Sequence, residues 1–278
     1  LGNNLDTHLL KGLNISGVPK KLKNTIFPFE YNDFKSLEKI VKFKNIGVIK
    51  MEVCRNTQPN ISFLKKVRRL ATKNNIVLIF DECTTGFRES FGGLHKNTGV
   101  KPDMAIFGKA LGNGYAITAI LGKSSIMDSV NKSFISSTFW TERVGPTAAL
   151  RTIEFMEKEK TWLTIKKIGK KIQSNWRKLA AEYNLDINIK GIPSLTSFSF
   201  KGNKTQEYKT LITQEMLKKN FLATNAVYCS ISHDEKTIQE YFERLADIFK
   251  IIRDCENGHS ISKFLSSKIS EKEFRRLN

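Results

Sequence analysis

Short apolar, β-branched runs alternate with longer segments of helical periodicity along this chain, the pattern of an α/β layer architecture. Residues 46–53 read as a strand, and 61–75 follow as a helix with Leu64, Val67, Leu70 and Ala71 on one face and Arg68 and Arg69 outside. Ile76-Val77-Leu78-Ile79-Phe80 is unbroken by any polar residue, as expected of a strand buried on both faces of a parallel sheet. Shorter strands are expected at 103–107 and 116–121. Helical periodicity begins again at Gly145, and a second helix runs through Trp162, Ile165, Ile168, Ile172 and Trp176, so the junction near residue 160 reads as continuous helix. After Asn184 the character changes. A strand pair around 187–189 and 195–200 precedes a helix at 208–219, a strand near 221–230 and a helix at 235–253. The expected organisation is residues 1–160 as part of a large α/β domain, a mostly parallel sheet flanked by helices, and 161–278 as a smaller C-terminal α+β domain.

Composition narrows the function classes. With 278 residues and 40% hydrophobic side chains the chain can bury a sizeable core. The net charge of +19, from 46 Lys and Arg against 27 Asp and Glu, raises the possibility of a nucleic-acid partner or a non-catalytic basic binding module. The lysines are spread among Asn and Ile, however. No basic run is interleaved with aromatics for base stacking, so a solvated basic surface is the preferred reading and no nucleic acid is expected. No stretch approaches the roughly 20 apolar residues that span a bilayer. The first residues show no export signal, so a cytoplasmic protein without a membrane partner is expected. Leu1 stands where an initiator Met would, which leads us to expect that the sequence starts inside a longer protein. Cys54, Cys83, Cys229 and Cys255 are far apart with no CxxC pair, so free thiols and no metal site are expected.

The chemistry concentrates between residues 81 and 114. Asp81 and Glu82 close the most apolar strand, and ligands of open α/β sheets bind outside the carboxyl ends of the strands. Lys109 ends another apolar run and is flanked by Gly108 and by Gly112-Asn113-Gly114, which leave room for a planar ligand to approach the backbone. A lysine shielded from water in such a cleft can form a Schiff base. Pyridoxal phosphate needs an amine for C4′ and a carboxylate that keeps its pyridine nitrogen protonated. Lys109 and Asp81, at the ends of two strands, are suited to supply both.

The strand 76–83 with Thr85-Gly86-Phe87-Arg88, then Gly99-Val100-Lys101-Pro102-Asp103, then Gly108-Lys109-Ala110-Leu111-Gly112-Asn113-Gly114, resembles the class III aminotransferases. Within that class it is similar to the glutamate-1-semialdehyde 2,1-aminomutase-like branch. Weaker matches run from Gly17-Val18-Pro19 and Tyr31-Asn32-Asp33 to Gly191-Ile192-Pro193 and Phe274-Arg275-Arg276-Leu277-Asn278. The resemblance implies a fold type I pyridoxal-phosphate enzyme that moves an amino group from a small-molecule donor to a carbonyl acceptor, as a homodimer with its active site at the interface. By position, it implies that Lys109 bears the cofactor and moves the proton between Cα and C4′, that Asp81 pairs with the pyridinium nitrogen, and that Cys83 packs on the ring face. Glu52 matches the acid of a Glu-Pro strand end, although Val53 replaces the proline. Glu82 and Arg88 read as structural and His95 as a polar loop residue. The threonine that reaches the partner subunit's phosphate is Thr141 when counted back from Pro146 and Thr138 when the Ser-Thr-Phe string is matched; Thr141 is favoured. Two departures stand out. The phosphate-cupping turn and ring-stacking aromatic of the family would lie upstream of Leu1, so roughly the first third of the usual chain is expected to be missing, judged against domain size. The Gly-Ser-Gly mobile loop of aminomutases also has no counterpart around 14–19, which favours an intermolecular aminotransferase over the aminomutase.

Overall fold

The computed structural model describes residues 10–11, 19–22, 24–54, 56–58, 60–136, 138–139, 141–270 and 275–276. The chain divides into two compact units, Leu1–Trp162 with Phe274–Asn278, and Leu163–Glu273.

In the first unit, the short strand β1 (Leu10–Lys11) pairs antiparallel with Arg275–Arg276. The main sheet holds β2 (Val48–Glu52), β3 (Val77–Asp81), β4 (Met104–Phe107) and β5 (Ala119–Gly122) in that spatial order. The first three are parallel, and β5 returns antiparallel to β4. The helices that connect them begin at side-chain caps. Asp33 accepts the Ser36 amide to start α1 (Phe34–Phe43), and Asn60 accepts the Ser62 and Phe63 amides to start α2 (Ile61–Lys73). α2 buries Leu64, Val67 and Ala71 of the expected stripe and Phe63 besides, while Leu70 is only half-buried and Arg68, expected outside, is half-buried too. In β3, Leu78 and Phe80 are fully buried while Val77 and Ile79 on the other face are half-buried. Burial on both faces is therefore complete on one face only. Residues 116–118 stay outside β5, where the chain is still turning: the Tyr115 amide donates to the Gly112 carbonyl at 3.1 Å and the Ile117 amide to the Tyr115 carbonyl at 2.9 Å. After the single helical turn α3 (Ser124–Met127) comes α4 (Val144–Glu159). The helix expected to run unbroken through residue 160 is interrupted. Lys160 takes a left-handed conformation (φ 48°, ψ 44°) and donates its amide to the Met156 carbonyl, closing α4 before α5 (Thr161–Glu182) begins. No Gly or Pro marks this break in the sequence.

The second unit is an antiparallel sheet, β6 (Ile187–Lys190), β7 (Leu195–Phe200) and β8 (Ala226–Tyr228), with α6 (Thr205–Lys218) and α7 (Glu235–Glu256). Its core centres on Phe198, whose ring lies 4.8 Å from Trp176, 5.7 Å from Phe200 and 5.9 Å from Phe249. Such aromatic pairs contribute roughly 0.5–1.5 kcal/mol each beyond the burial of their area. The buried indole N–H of Trp176 donates to the Tyr241 hydroxyl at 3.1 Å, so the core carries its polar tips in pairs. β8 is shorter than expected because residues 220–221 close α6 instead of starting a strand. Asn220 is left-handed (φ 63°) and the Phe221 amide caps the Met216 carbonyl at 2.9 Å.

Candidate active site

The parallel register sets Glu52 opposite Asp81, and Asp81 opposite Ile106, so β2, β3 and β4 end nearly level. Asp81 is the last residue of β3, and its carboxylate keeps 21% of its surface exposed. Oδ1 accepts the Cys83 amide at 3.1 Å and Oδ2 accepts the Lys50 ammonium at 2.8 Å. Lys109 follows β4 after one glycine, in a left-handed conformation (φ 45°) uncommon for a residue with a side chain. Its Nζ donates to Thr84 Oγ1 at 2.9 Å and lies 3.7 Å from Cys83 Sγ. One turn, residues 81–84, therefore links the two groups: the carboxylate of Asp81 holds the backbone of Cys83, and the next side chains meet the amine. Gly108 is required here, because a Cβ would lie 2.8 Å from Cys83 Sγ and 3.2 Å from Thr118 Cγ2. Lys109 itself is exposed rather than shielded in this structure.

Glu82 points the opposite way and is fully buried. Its carboxylate accepts the His95 amide at 2.9 Å, meets His95 Nδ1 at 2.9 Å, and accepts the Thr85 hydroxyl. Arg88 Nε donates to the Thr84 carbonyl at 2.8 Å, and the Gly86 amide to the Glu82 carbonyl at 2.7 Å. Glu82 and Arg88 thus brace the turn that presents Thr84. His95, read from sequence as a plain loop residue, is instead the partner of a buried acid. On the strand-end side, the Tyr31 hydroxyl donates to the Val53 carbonyl, and burial, then Cys54, Glu52 and Glu82, raise its phenol well above the ordinary value. Burial, then Glu89, Glu52 and Glu82, push the Cys54 thiol up to about 12.

Asp81, Cys83 and Lys109 therefore meet in one place, together with Thr84 and Lys50, to which the sequence reading gave no role. Thr84 stood inside the Thr84-Thr85-Gly86 string that drew attention. Lys50 interrupts an otherwise apolar stretch of β2 and alternates onto the face of Glu52, a signal that could have flagged it. Thr138 and Thr141 sit exposed in the loop before α4, and among the described residues neither is hydrogen-bonded to Asp81 or Lys109. No group of His, Cys, Asp and Glu among the described residues could hold a metal ion. None of the four cysteines forms a disulfide. No described helix is long and apolar enough to cross a membrane.

Residues 56–245 match the family model of the class-III aminotransferases. A 3-aminobutyryl-CoA aminotransferase of Cloacimonas acidaminovorans is 33% identical over 254 residues, covering 85% of this chain and 61% of that protein. A glutamate-1-semialdehyde 2,1-aminomutase of Sulfolobus acidocaldarius is 40% identical over 151 residues, 52% of this chain and 36% of that protein. The chain thus spans 61% of the length of the first of these relatives. The FumI protein of Sphingopyxis sp. MTA144 shares the fold with a TM-score of 0.79 at 19% identity, over 87% of this chain and 62% of that one. An acetylornithine aminotransferase of Elizabethkingia anophelis does so with a TM-score of 0.74 at 22% identity, over 89% and 65%.

Proposed function

Because the chain belongs to the class-III aminotransferase family, we propose that the whole protein is a pyridoxal-phosphate-dependent aminotransferase in which Lys109 carries the cofactor and Asp81 faces its pyridine nitrogen. The observation that carries this reading is the tie between the Lys109 amine and the Asp81 carboxylate through one turn at the ends of neighbouring parallel strands.

The residues fit the group. A primary amine accessible to solvent can attack a carbonyl carbon, a partly exposed carboxylate can accept a pyridinium N–H, and the missing side chain of Gly108 leaves room beside Cys83 Sγ. When bound, pyridoxal phosphate supplies the electron sink for negative charge at the substrate Cα. The chain's own groups do the rest. Lys109 would hold the cofactor through its amine and move a proton between the substrate Cα and C4′. Thr84 Oγ1 holds the lysine Nζ in reach of that path. Asp81 fixes the ring-nitrogen proton, and Cys83 packs against the ring face as a small apolar side chain. Thr141, or Thr138, reaches the cofactor phosphate of a second copy of the chain. Support for a homodimer comes from the same loop, where Phe134 is 98% and Phe139 72% exposed, apolar surface that a second copy of the chain would cover. The substrates are a small-molecule amino donor and a carbonyl acceptor, handled in the cytoplasm, and the basic surface is solvated.

The similarity to glutamate-1-semialdehyde aminomutases favours a second reading, in which the amino group moves within one molecule. A single donor screen separates the two. Transfer from an external amino acid supports the aminotransferase; efficient 5-aminolevulinate formation without exchange from an external donor overturns it. Lys109 is tested by borohydride reduction and peptide mapping, which should find the pyridoxyl group there. A label on another lysine refutes the assignment.

A further inference from the structure

We propose that Lys50 is a positioning residue for the cofactor's ring nitrogen, acting as a second cation on Asp81 that weakens the carboxylate's hold on the pyridinium proton. The inference rests on the reading that Asp81 faces that nitrogen.

Lys50 lies on the same face of β2 as Glu52, the face opposite the buried Ile49 and Met51. The parallel register places it beside Ile79, two residues before Asp81, so its side chain reaches along the sheet to the strand end. There Nζ meets Asp81 Oδ2 at 2.8 Å while the Cys83 amide takes Oδ1 at 3.1 Å. Both oxygens are engaged within the chain itself. A carboxylate has about four acceptor positions, so a ring N–H can still bind, but it shares the anion with an ammonium. A neighbouring cation disfavours a second positive charge, so the proton on the ring nitrogen is held less tightly than by Asp81 alone. Lys50 is 55% exposed, which screens the effect to something modest. The reach of Nζ to Oδ2 also holds the Asp81 carboxylate in one orientation.

The test uses the full protein in wild-type, Lys50→Met, Lys50→Gln and Lys50→Arg forms. Dissociation constants are measured for pyridoxal phosphate and for its 1-carba analogue, in which C–H replaces the ring nitrogen. The preference for pyridoxal phosphate over the analogue should rise about two- to fivefold in Lys50→Met and Lys50→Gln, and stay at the wild-type ratio in Lys50→Arg. A 15N resonance from ring-labelled cofactor should show the proton retained to higher pH in the two neutral variants. A merely structural ion pair would change both dissociation constants together and leave their ratio alone. An unchanged ratio in the neutral variants, or loss of all binding in them while wild type and Lys50→Arg bind, overturns the role of Lys50 and leaves the proposed function standing. Failure of every form, wild type included, to bind pyridoxal phosphate overturns both.

Discussion

Asp103 offers a sharp test of what holds the sheet of the first unit together. It precedes β4, at the opposite end of that strand from Lys109, and only 8% of its side chain is exposed. Oδ2 accepts the Leu78 amide and Arg68 Nη1, both at 2.8 Å, and Oδ1 accepts the Lys123 ammonium at 2.7 Å. Burial alone would push this carboxyl up. The Leu78 amide, Lys123 and Arg68 together outweigh it and bring the value down from 3.8 to about 2. A carboxyl depressed on folding stabilises the native state fully above its unfolded value and loses that contribution as pH falls through the folded one. The window is therefore pH 4 down to pH 2, and the shift corresponds to about 2 kcal/mol. Asp103→Asn removes that contribution and leaves the half-buried Arg68 without its anion, so the cost at pH 6 should be roughly 3 kcal/mol. The assay is hydrogen exchange of a peptide covering 77–81, comparing wild type and variant at matched pH. The stability gap should shrink by about 2 kcal/mol between pH 4 and pH 2. A gap that stays constant across that range would mean the three contacts do not hold the carboxylate's charge.

Three further outcomes follow from the same geometry. Gly169→Ala should lower the denaturation midpoint of the protein, against the usual gain of about 1 kcal/mol from Gly to Ala in a helix. The added Cβ would lie 1.9 Å from the Pro193 carbonyl oxygen, and such overpacking costs roughly 1–3 kcal/mol; a higher midpoint would contradict this. Cys54 should resist iodoacetamide at pH 8 in the native protein and react only on unfolding, since with its thiol near 12 only roughly one molecule in ten thousand carries the thiolate; rapid native labelling mapped to Cys54 would refute it. Asp81→Asn should retain pyridoxal phosphate weakly while transamination falls by several orders of magnitude, as expected when the charge at the ring nitrogen is lost. Near-wild-type turnover would remove Asp81 from its proposed role.

What the sequence disclosed was local. The run 76–80, the acid that ends it and the glycines around Lys109 are signals carried within a few residues, and the strands and turn they imply are present. What it hid depends on pairing across the sheet or on backbone conformations with no composition mark. Lys50 can be placed on the face of Glu52 by alternation, but its meeting with Asp81 needs the register of β2 on β3. Glu82 finds His95 only after the chain has turned through Gly86 and Gly93, where Cβ atoms would clash with Phe107 and with His95 itself. Lys160 breaks a helix with neither glycine nor proline to announce it. The antiparallel return of β5 depends on the turn at 112–117, which the residues of 116–121 do not encode.

The period of two along a strand explains why one site can be both chemically open and mechanically firm. Asp81 ends β3 and Glu82 follows it directly, so their side chains point to opposite sides. The first meets Lys50 and the Cys83 amide at the accessible edge, and the second, itself fully buried, meets His95 and Thr85. A carboxylate as fully buried as Glu82 is tolerable only with its oxygens engaged, and those engagements fix residues 82–86 in space. The Lys109 amine rests on Thr84, inside that braced turn, while its own backbone is set by Gly108 and a left-handed φ. Position is thus fixed from the buried side and reactivity is offered on the exposed side. That division lets a long, flexible lysine end at a defined point while its amine stays open to solvent, as the proposed role of Lys109 requires.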